Sequence, residues 1–358
     1  MEIKITRQAP EKMRTKYTDE STLGFGKVFT DHMFTLPYQS DKGWHDPHLE
    51  PYHPFCMDPA AMCLHYGQEI FEGLKAYRGE KGEIYLFRPK ENIRRMNVSA
   101  RRLCMPAVDE DLFLEALKKL VLLDQDWIPR GIGTSLYIRP TMIATENALG
   151  VHPADSYLFF IIACAVGAYY PEGFSPTKIY VVEDYTRTAP GGMGNVKAAG
   201  NYAASLFASA IAVEKGYTQV LWLDAVHRKY VEEVGTSNIF FMIGDELITA
   251  PLGGTILPGV TRDSVIALAK SWGIKVAERP LSMDEVVQAC EKGTMKEAFA
   301  SGTAAVVSPI GQLFYRDREY MIHGGKTGDL TEKLYSEILG IQYGKKDDPF
   351  GWRMKISG

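Results

Sequence analysis

Cysteine is scarce in this chain of 358 residues, and the five present, Cys56, Cys63, Cys104, Cys164 and Cys290, include no pair at metal-site or redox-motif spacing. That excludes a disulfide-stapled secreted scaffold and a zinc-ribbon centre, and the reading is of reduced, mostly buried thiols with no metal. Long apolar runs are also missing. The longest, residues 158–166, falls far short of the roughly 20 residues needed to cross a bilayer and reads as a buried strand. The start, Met1-Glu2-Ile3-Lys4-Ile5, has no apolar signal core and no Arg/Ser-rich transit character, which places the protein in the cytosol and off the membrane. Charge of one sign is not in excess either: 40 Lys and Arg stand against 44 Asp and Glu, a net −4 with no basic run. Such a chain has no general polyanion-binding field, so nucleic acid is not expected as a partner. Internal repeats and low-complexity tracts are absent.

What is present suits a metabolic enzyme with chain enough for two domains, 46% hydrophobic and carrying 33 glycines. Residues 109–126 show an amphipathic helix pattern, flanked by strand-like 83–87 and 135–138. After the 158–166 strand comes Gly167-Ala168-Tyr169-Tyr170-Pro171-Glu172-Gly173-Phe174-Ser175-Pro176, whose Gly and Pro content reads as a connector. The boundaries are therefore set at 1–168 for a smaller N-terminal domain, 169–177 for the connector, and 178–358 for a larger C-terminal domain. The second half alternates strands (178–182, 219–223, 239–243) with helices (201–215, 261–272, 283–291), and Gly216 and Gly273 close two of those helices. Periodicity alone supports an α/β or α+β mixture.

Chemistry concentrates in a few loops. In Gly191-Gly192-Met193-Gly194-Asn195-Val196-Lys197-Ala198-Ala199-Gly200-Asn201-Tyr202 a lysine follows a glycine-rich loop at a helix start. The glycines permit close approach of backbone to a ligand, and an apolar wall behind Lys197 would favour the neutral amine that forms a Schiff base with an aldehyde cofactor. A solvated lysine on a surface turn fits the same residues taken alone. Glu232-Glu233-Val234-Gly235-Thr236-Ser237-Asn238 offers a carboxylate for a pyridine nitrogen, or an ordinary acidic pair on an edge strand. Leu257-Pro258-Gly259-Val260-Thr261-Arg262-Asp263-Ser264 feeds a helix whose first amides, with a threonine hydroxyl, suit a phosphate ester as well as they suit a plain cap. Ser301-Gly302-Thr303-Ala304-Ala305 is a further small-residue turn with amides to offer.

The order and spacing of these pieces resemble the branched-chain-amino-acid aminotransferases of the fold-type IV pyridoxal phosphate enzymes. The resemblance starts at Phe25-Gly26-Lys27-Val28-Phe29-Thr30-Asp31-His32-Met33. It continues through Leu64-His65-Tyr66-Gly67-Gln68-Glu69-Ile70-Phe71-Glu72-Gly73 and Leu136-Tyr137-Ile138-Arg139-Pro140, and ends at Ile341-Gln342-Tyr343-Gly344. The long form, with Gln219-Val220-Leu221-Trp222-Leu223 in its middle, looks more like the larger subgroup that includes the animal enzymes. The animal relatives' Cys-x-x-Cys pair is replaced here by Ala305 and Ser308, so that redox switch is expected to be absent. The resemblance implies two α/β domains with pyridoxal 5'-phosphate at their interface, in a homodimer or a dimer-based hexamer.

It also implies roles. Lys197 is the Schiff-base lysine and the general base, Tyr202 meets the cofactor's phenolic oxygen, and Glu233 rather than Glu232 meets the pyridine nitrogen. Arg95, the second arginine of the pair in Asn92-Ile93-Arg94-Arg95-Met96, binds the phosphate with Val260, Thr261 and Thr303, with Thr236 assisting at the cofactor. Phe25, Phe71, Tyr137 and Tyr169 wall an apolar pocket, and Tyr66 and Val151 reach it from the neighbouring subunit. Thr303 and Ala304 bind the substrate carboxylate through their amides, and Arg139 meets the second carboxylate of 2-oxoglutarate or glutamate. The implied reaction is ping-pong transfer of the amino group from L-leucine, L-isoleucine or L-valine to 2-oxoglutarate. D-amino-acid aminotransferase and aminodeoxychorismate lyase share the lysine and glutamate logic and are the alternatives, but they generally lack the N-terminal Phe-Gly-x-x-Phe-Thr-Asp-His-Met element.

Overall fold

The computed structural model describes residues 1–167 and 174–357. Tyr169 and most of the connector assigned to 169–177 therefore lie outside the described residues. The chain divides into two compact units. The first comprises Met1–Tyr169, Lys197–Gly200 and Gly340–Gly358, and the second Tyr170–Val196 and Asn201–Leu339.

The first unit is built on an eleven-stranded sheet, antiparallel except where Lys4–Ile5 lies parallel to His48–Pro51. Its centre is the strand Ser156–Val166, paired with Ser135–Ala144 on one side and His32–Gln39 on the other. Tyr157, Phe159, Ile161 and Ala163 alternate along it as buried positions, the period-2 signature of one face turned to a core. That core is shared with the helices Pro89–Arg102 and Glu110–Leu123, Phe113 meeting Phe159 edge-on with centroids 4.7 Å apart. The second helix starts where Asp109 accepts a hydrogen bond from the Leu112 N–H at 2.9 Å, an N-cap that satisfies one of its open amides. The tail returns to this unit because Arg353–Ser357 pairs antiparallel with Ile84–Phe87.

The Thr30-Asp31-His32-Met33 segment serves the scaffold. His32 is 2% exposed; its Nδ1 lies 2.6 Å from Asp124 Oδ1, while its Nε2 accepts the Gln8 N–H at 2.8 Å. The acceptor role of Nε2 assigns the ring proton to Nδ1, so Asp124 receives it. Asp31 accepts from Trp127 Nε1 and from the Arg14 N–H, both at 2.7 Å, which ties the N-terminal strap to the end of the second helix.

Lys75 is an unexpected buried cation on Leu74–Arg78, opposite Tyr137 in the ladder and 5% exposed. Burial pushes its amine down from 10.5 to about 7. Because the folded value lies below the unfolded one, the unfolded chain holds the extra proton between those limits. The contribution to stability is therefore least favourable below about pH 7 and improves as pH rises through that window. Lys75→Met is expected to raise the melting temperature more at pH 6 than at pH 9.5, as read by scanning calorimetry at both; an equal gain at both pH values would refute the assignment.

In the second unit the strands Val231–Val234, Gln219–Leu223, Thr177–Val182, Val306–Tyr315, Met295–Gly302 and Ser237–Ile243 pair in succession, and the last pairs back with the first to close a six-stranded ring. Glu246–Thr249 and Lys275–Glu278 extend the sheet from Ser237–Ile243. Helices Val260–Ser271 and Met283–Glu291 lie close to the sequence expectation, and Gly216 and Gly273, at φ 83° and 75°, take the left-handed turns that follow Ala199–Glu214 and Val260–Ser271.

The thiols differ from the expectation of burial: Cys56 and Cys104 are exposed, Cys63 and Cys290 are partly covered, and Cys164 is buried. Cys56 lies in a proline-flanked loop outside any helix or strand, and Cys104 in the turn after Pro89–Arg102 at φ 55°. Burial pushes the Cys164 and Cys290 thiols up to about 11, away from thiolate chemistry. Among the described residues no helix is long and apolar enough to cross a membrane, and no cluster of three or more His, Cys, Asp or Glu could hold a metal ion.

Candidate active site

Lys197 stands two residues before the helix Ala199–Glu214 and is fixed within the first unit. Its carbonyl accepts the Phe71 N–H at 3.1 Å, Ala198 bridges antiparallel to Ile70, and its own N–H donates to Ser99 Oγ at 3.0 Å. With the backbone pinned on both sides, the side chain projects over aromatic surface, Nζ lying 4.6 Å from the centroid of the Phe71 ring. The Arg139 guanidinium lies 4.6 Å from the centroid of that ring and donates to the Tyr137 hydroxyl at 3.1 Å. Tyr137 in turn meets Phe25 with centroids 4.9 Å apart. Gly73 makes this possible, because a Cβ there would sit 2.1 Å from the Tyr137 hydroxyl. The structure thus brings Lys197, Phe71, Arg139, Tyr137 and Phe25 into one chain of contacts.

Arg95 belongs to the same unit. It occupies the buried face of Pro89–Arg102 and makes a two-pronged ion pair with Glu72, at 2.7 Å from Nε and 2.9 Å from a terminal nitrogen. Glu72 is fully buried and also accepts from Asn92 Nδ2 at 2.9 Å. Burial alone would push the Glu72 carboxyl up, but Arg95, Lys197 and Asn92 outweigh it and hold it below the usual carboxylate range. Arg94, one position earlier, points to solvent and pairs with Glu91, as the motif register requires.

A second cluster lies in the second unit. Glu233 and Asn238 face each other across the two-residue turn Gly235-Thr236, and Asn238 Nδ2 donates to Glu233 Oε1 at 2.8 Å. The Leu257 N–H donates to the same oxygen at 3.2 Å, and Arg187 pairs with the other. Burial pushes the Glu233 carboxyl up, with Arg187 and the Leu257 amide opposing it. Strand alternation puts Glu232 on the opposite face. Glu233, Thr236 and Tyr202 line one cavity with Arg187, Asn201 and Leu257. Asn238 also donates to the Leu257 carbonyl at 3.0 Å, and a Cβ at Gly259 would lie 2.1 Å from its oxygen, so the turn before Val260–Ser271 is held tight against the Glu233 hairpin. Gly259 brings no capping side chain to that helix, whose first turn, where an anion is ordinarily received, carries Val260 and Thr261.

Thr303 and Ala304 form the turn between Met295–Gly302 and Val306–Tyr315. Val306 closes it at φ 62°, a conformation a β-branched residue adopts only under constraint and one that gathers at ligand-binding loops. Ser301 Oγ, on the strand leading into the turn and paired in register with Asn238, is buried without a hydrogen-bond partner among the described residues. These features fit a group combining a ring nitrogen, a phosphate and a carboxylate. Tyr66 and Val151 stay outside both clusters: they are 40% and 84% exposed, and the Tyr66 hydroxyl donates to the Leu149 carbonyl at 2.5 Å. Glu72, Asn92, Ser99, Arg187 and Asn238 were not singled out from sequence. Four of them had a signal, namely the spacing of Asn92 and Ser99 at three before and four after Arg95, the register of the hairpin, and the place of Glu72 inside a motif.

A family model described as amino-transferase class IV matches residues 69–313. The chain is 54% identical over 339 residues to branched-chain-amino-acid aminotransferase 2 of Bacillus subtilis (strain 168), covering 95% of this chain and 93% of that one. It is 49% identical to a probable branched-chain-amino-acid aminotransferase of Streptomyces coelicolor, over 92% of this chain and 91% of the relative. Among solved structures, the Escherichia coli branched-chain amino acid aminotransferase superposes with a TM-score of 0.76 at 27% identity, covering 91% of this chain and 99% of the other. The branched-chain amino acid aminotransferase of Thermobaculum terrenum, solved in its PLP-bound holo-form, also gives 0.76, at 25% identity over 93% of this chain and 100% of the other.

Proposed function

The chain belongs to the class IV amino-transferase family, and from that premise we propose residue roles in a reversible transamination between L-leucine, L-isoleucine or L-valine and 2-oxoglutarate. The enzyme is a pyridoxal 5'-phosphate-dependent branched-chain-amino-acid aminotransferase. When bound, that cofactor withdraws electrons from the substrate Cα, so that the Cα proton becomes mobile.

The chain's own residues supply the rest. Lys197 offers the amine that holds the cofactor aldehyde and then moves the proton between substrate Cα and cofactor C4′. Glu233, kept in place by Arg187 and Asn238, faces the pyridine nitrogen; Tyr202 meets the phenolic oxygen, with Thr236 beside it. Arg95 and the amides at Val260, Thr261 and Thr303 hold the phosphate. Thr303 and Ala304 orient the substrate carboxylate through backbone N–H groups. Phe25, Phe71, Tyr137 and Tyr169 exclude water from the branched side chain, and Arg139, resting on Phe71 and Tyr137, receives the second carboxylate of 2-oxoglutarate. One pocket serves both substrates, and because an apolar wall separates one methylene from another by only about 1–3 kcal/mol, the three branched amino acids are all accepted. The exposure of Tyr66 and Val151 supports a homodimer in which they reach a neighbour's pocket, with a dimer-based hexamer as its extension; the site of action proposed is the cytosol.

The observation that carries the reading is the Lys197 amine, its backbone anchored on both sides, set over the same aromatic ring as the Arg139 guanidinium. The test is a coupled assay of the purified protein with pyridoxal phosphate and 2-oxoglutarate, offered L-leucine, D-alanine or aminodeoxychorismate in parallel. Glutamate formation from L-leucine alone is expected; turnover confined to either of the other two would overturn the pocket assignment.

A further inference from the structure

We propose that Ser99 is a positioning residue for the transamination lysine, holding the backbone of Lys197 from the same helix that carries Arg95. The proposal rests on the role given to Lys197 above.

Ser99 is fully buried on Pro89–Arg102, one turn beyond Arg95. Its hydroxyl donates its single proton to the Arg95 carbonyl at 3.0 Å, which leaves the oxygen lone pairs to accept the Lys197 N–H, also at 3.0 Å. A serine bonded back to the carbonyl four residues earlier is common in helices; here the same oxygen also reaches out to a different segment of chain. The opposite side of Lys197 is held by strand Glu69–Phe71, through the Phe71 N–H and the Ile70–Ala198 bridge. The lysine backbone is therefore clamped between a strand and a helix, and Ser99 is the helix jaw.

The clamp matters because Nζ is the end of a long lever. Four methylenes separate it from Cα, so a backbone shift of a few tenths of an ångström is passed to the reacting amine. Displacements of that order at a reacting centre lower turnover without touching ground-state binding. Glu72 extends the same logic along the helix, since its pairing with Asn92 and Arg95 sets the helix against strand Glu69–Phe71 on the face that presents Ser99. Helix and strand thus fix Lys197 and Arg95 as one piece.

Ser99→Ala removes the acceptor while favouring the helix, so the variant is expected to fold. In the full-length protein, hydrogen–deuterium exchange is followed at the Lys197 amide by mass spectrometry with single-residue fragmentation, without cofactor. Exchange is expected to quicken about tenfold or more, the scale of losing one buried hydrogen bond. With cofactor, kcat for L-leucine is expected to fall about tenfold while its KM stays within about twofold, and the melting temperature stays within a few degrees. Should Ser99→Ala not fold, Ser99→Cys keeps a weak donor and acceptor, and intermediate values of both quantities are expected. Wild-type amide exchange at Lys197 in either folded variant overturns the proposal, whatever happens to activity. A change in exchange with unaltered kcat overturns the positioning role and leaves only a structural one. If the wild-type protein does not transaminate, it is the reading of Lys197 that fails, and the exchange result still decides whether Ser99 holds its backbone.

Discussion

Lys197→Ala is expected to lower the rate of amino transfer from L-leucine by about 10⁴-fold or more, the upper reach of a single positioned proton-transfer group. The loss has two parts. Alanine has no amine to hold the cofactor aldehyde, and it has none to carry the proton between Cα and C4′. Fold stability is a separate matter: Lys197 is only partly buried, and its backbone contacts to Ser99 and Phe71, like the neighbouring Ala198–Ile70 bridge, do not depend on its side chain. Circular dichroism and the melting temperature should therefore stay near wild type. Borohydride treatment of the wild-type protein with pyridoxal phosphate should add one phosphopyridoxyl group on the peptide containing Lys197, and that mass should vanish in the variant. Retained turnover in Lys197→Ala, or a label on another lysine, would move the chemistry elsewhere.

Glu233→Gln is the second large effect, with kcat for L-leucine falling on the order of 10²–10³-fold, as is typical when one preorganised charge partner is removed. The amide is close to isosteric and can still bond Asn238 or the Leu257 N–H, so the change is one of charge. It also strips Arg187 of its carboxylate, and an unpartnered buried charge costs about 3–5 kcal/mol of stability, so a drop in melting temperature accompanies the loss. The double variant Arg187→Met/Glu233→Gln separates the two. Removing both members of a buried pair is often close to neutral, so the double variant should melt near wild type and remain as slow as the single one. Recovery of turnover together with stability would mean that Glu233 serves only the fold.

Much of this was legible in the chain, for reasons that differ from element to element. Helix Met283–Glu291 was read to the residue because Ser282 caps it and its apolar positions recur at helical spacing. Helix Ala199–Glu214 starts two residues earlier than the amphipathic pattern suggests, since Ala199 and Gly200 carry no polarity to mark a start. Arg95 and Glu233 were selected over their neighbours Arg94 and Glu232 by motif register, and helix and strand periodicity give those neighbours a different direction. Arg187 left no trace in local sequence, because its pairing with Glu233 joins segments 46 residues apart and only folding reveals it. The same holds for Lys75, whose burial opposite Tyr137 is set by strand pairing and which single-residue polarity would assign to the surface.

The most direct test of the central claim is a half-reaction. Protein loaded with pyridoxal phosphate and freed of any oxo acid is mixed with L-leucine, and the released 4-methyl-2-oxopentanoate is measured against the protein concentration. The account predicts one equivalent per site, released without an acceptor and not with D-leucine, followed by full recovery of the starting absorbance on adding 2-oxoglutarate. Absence of release until 2-oxoglutarate is present, or equal release from D-leucine, would contradict it.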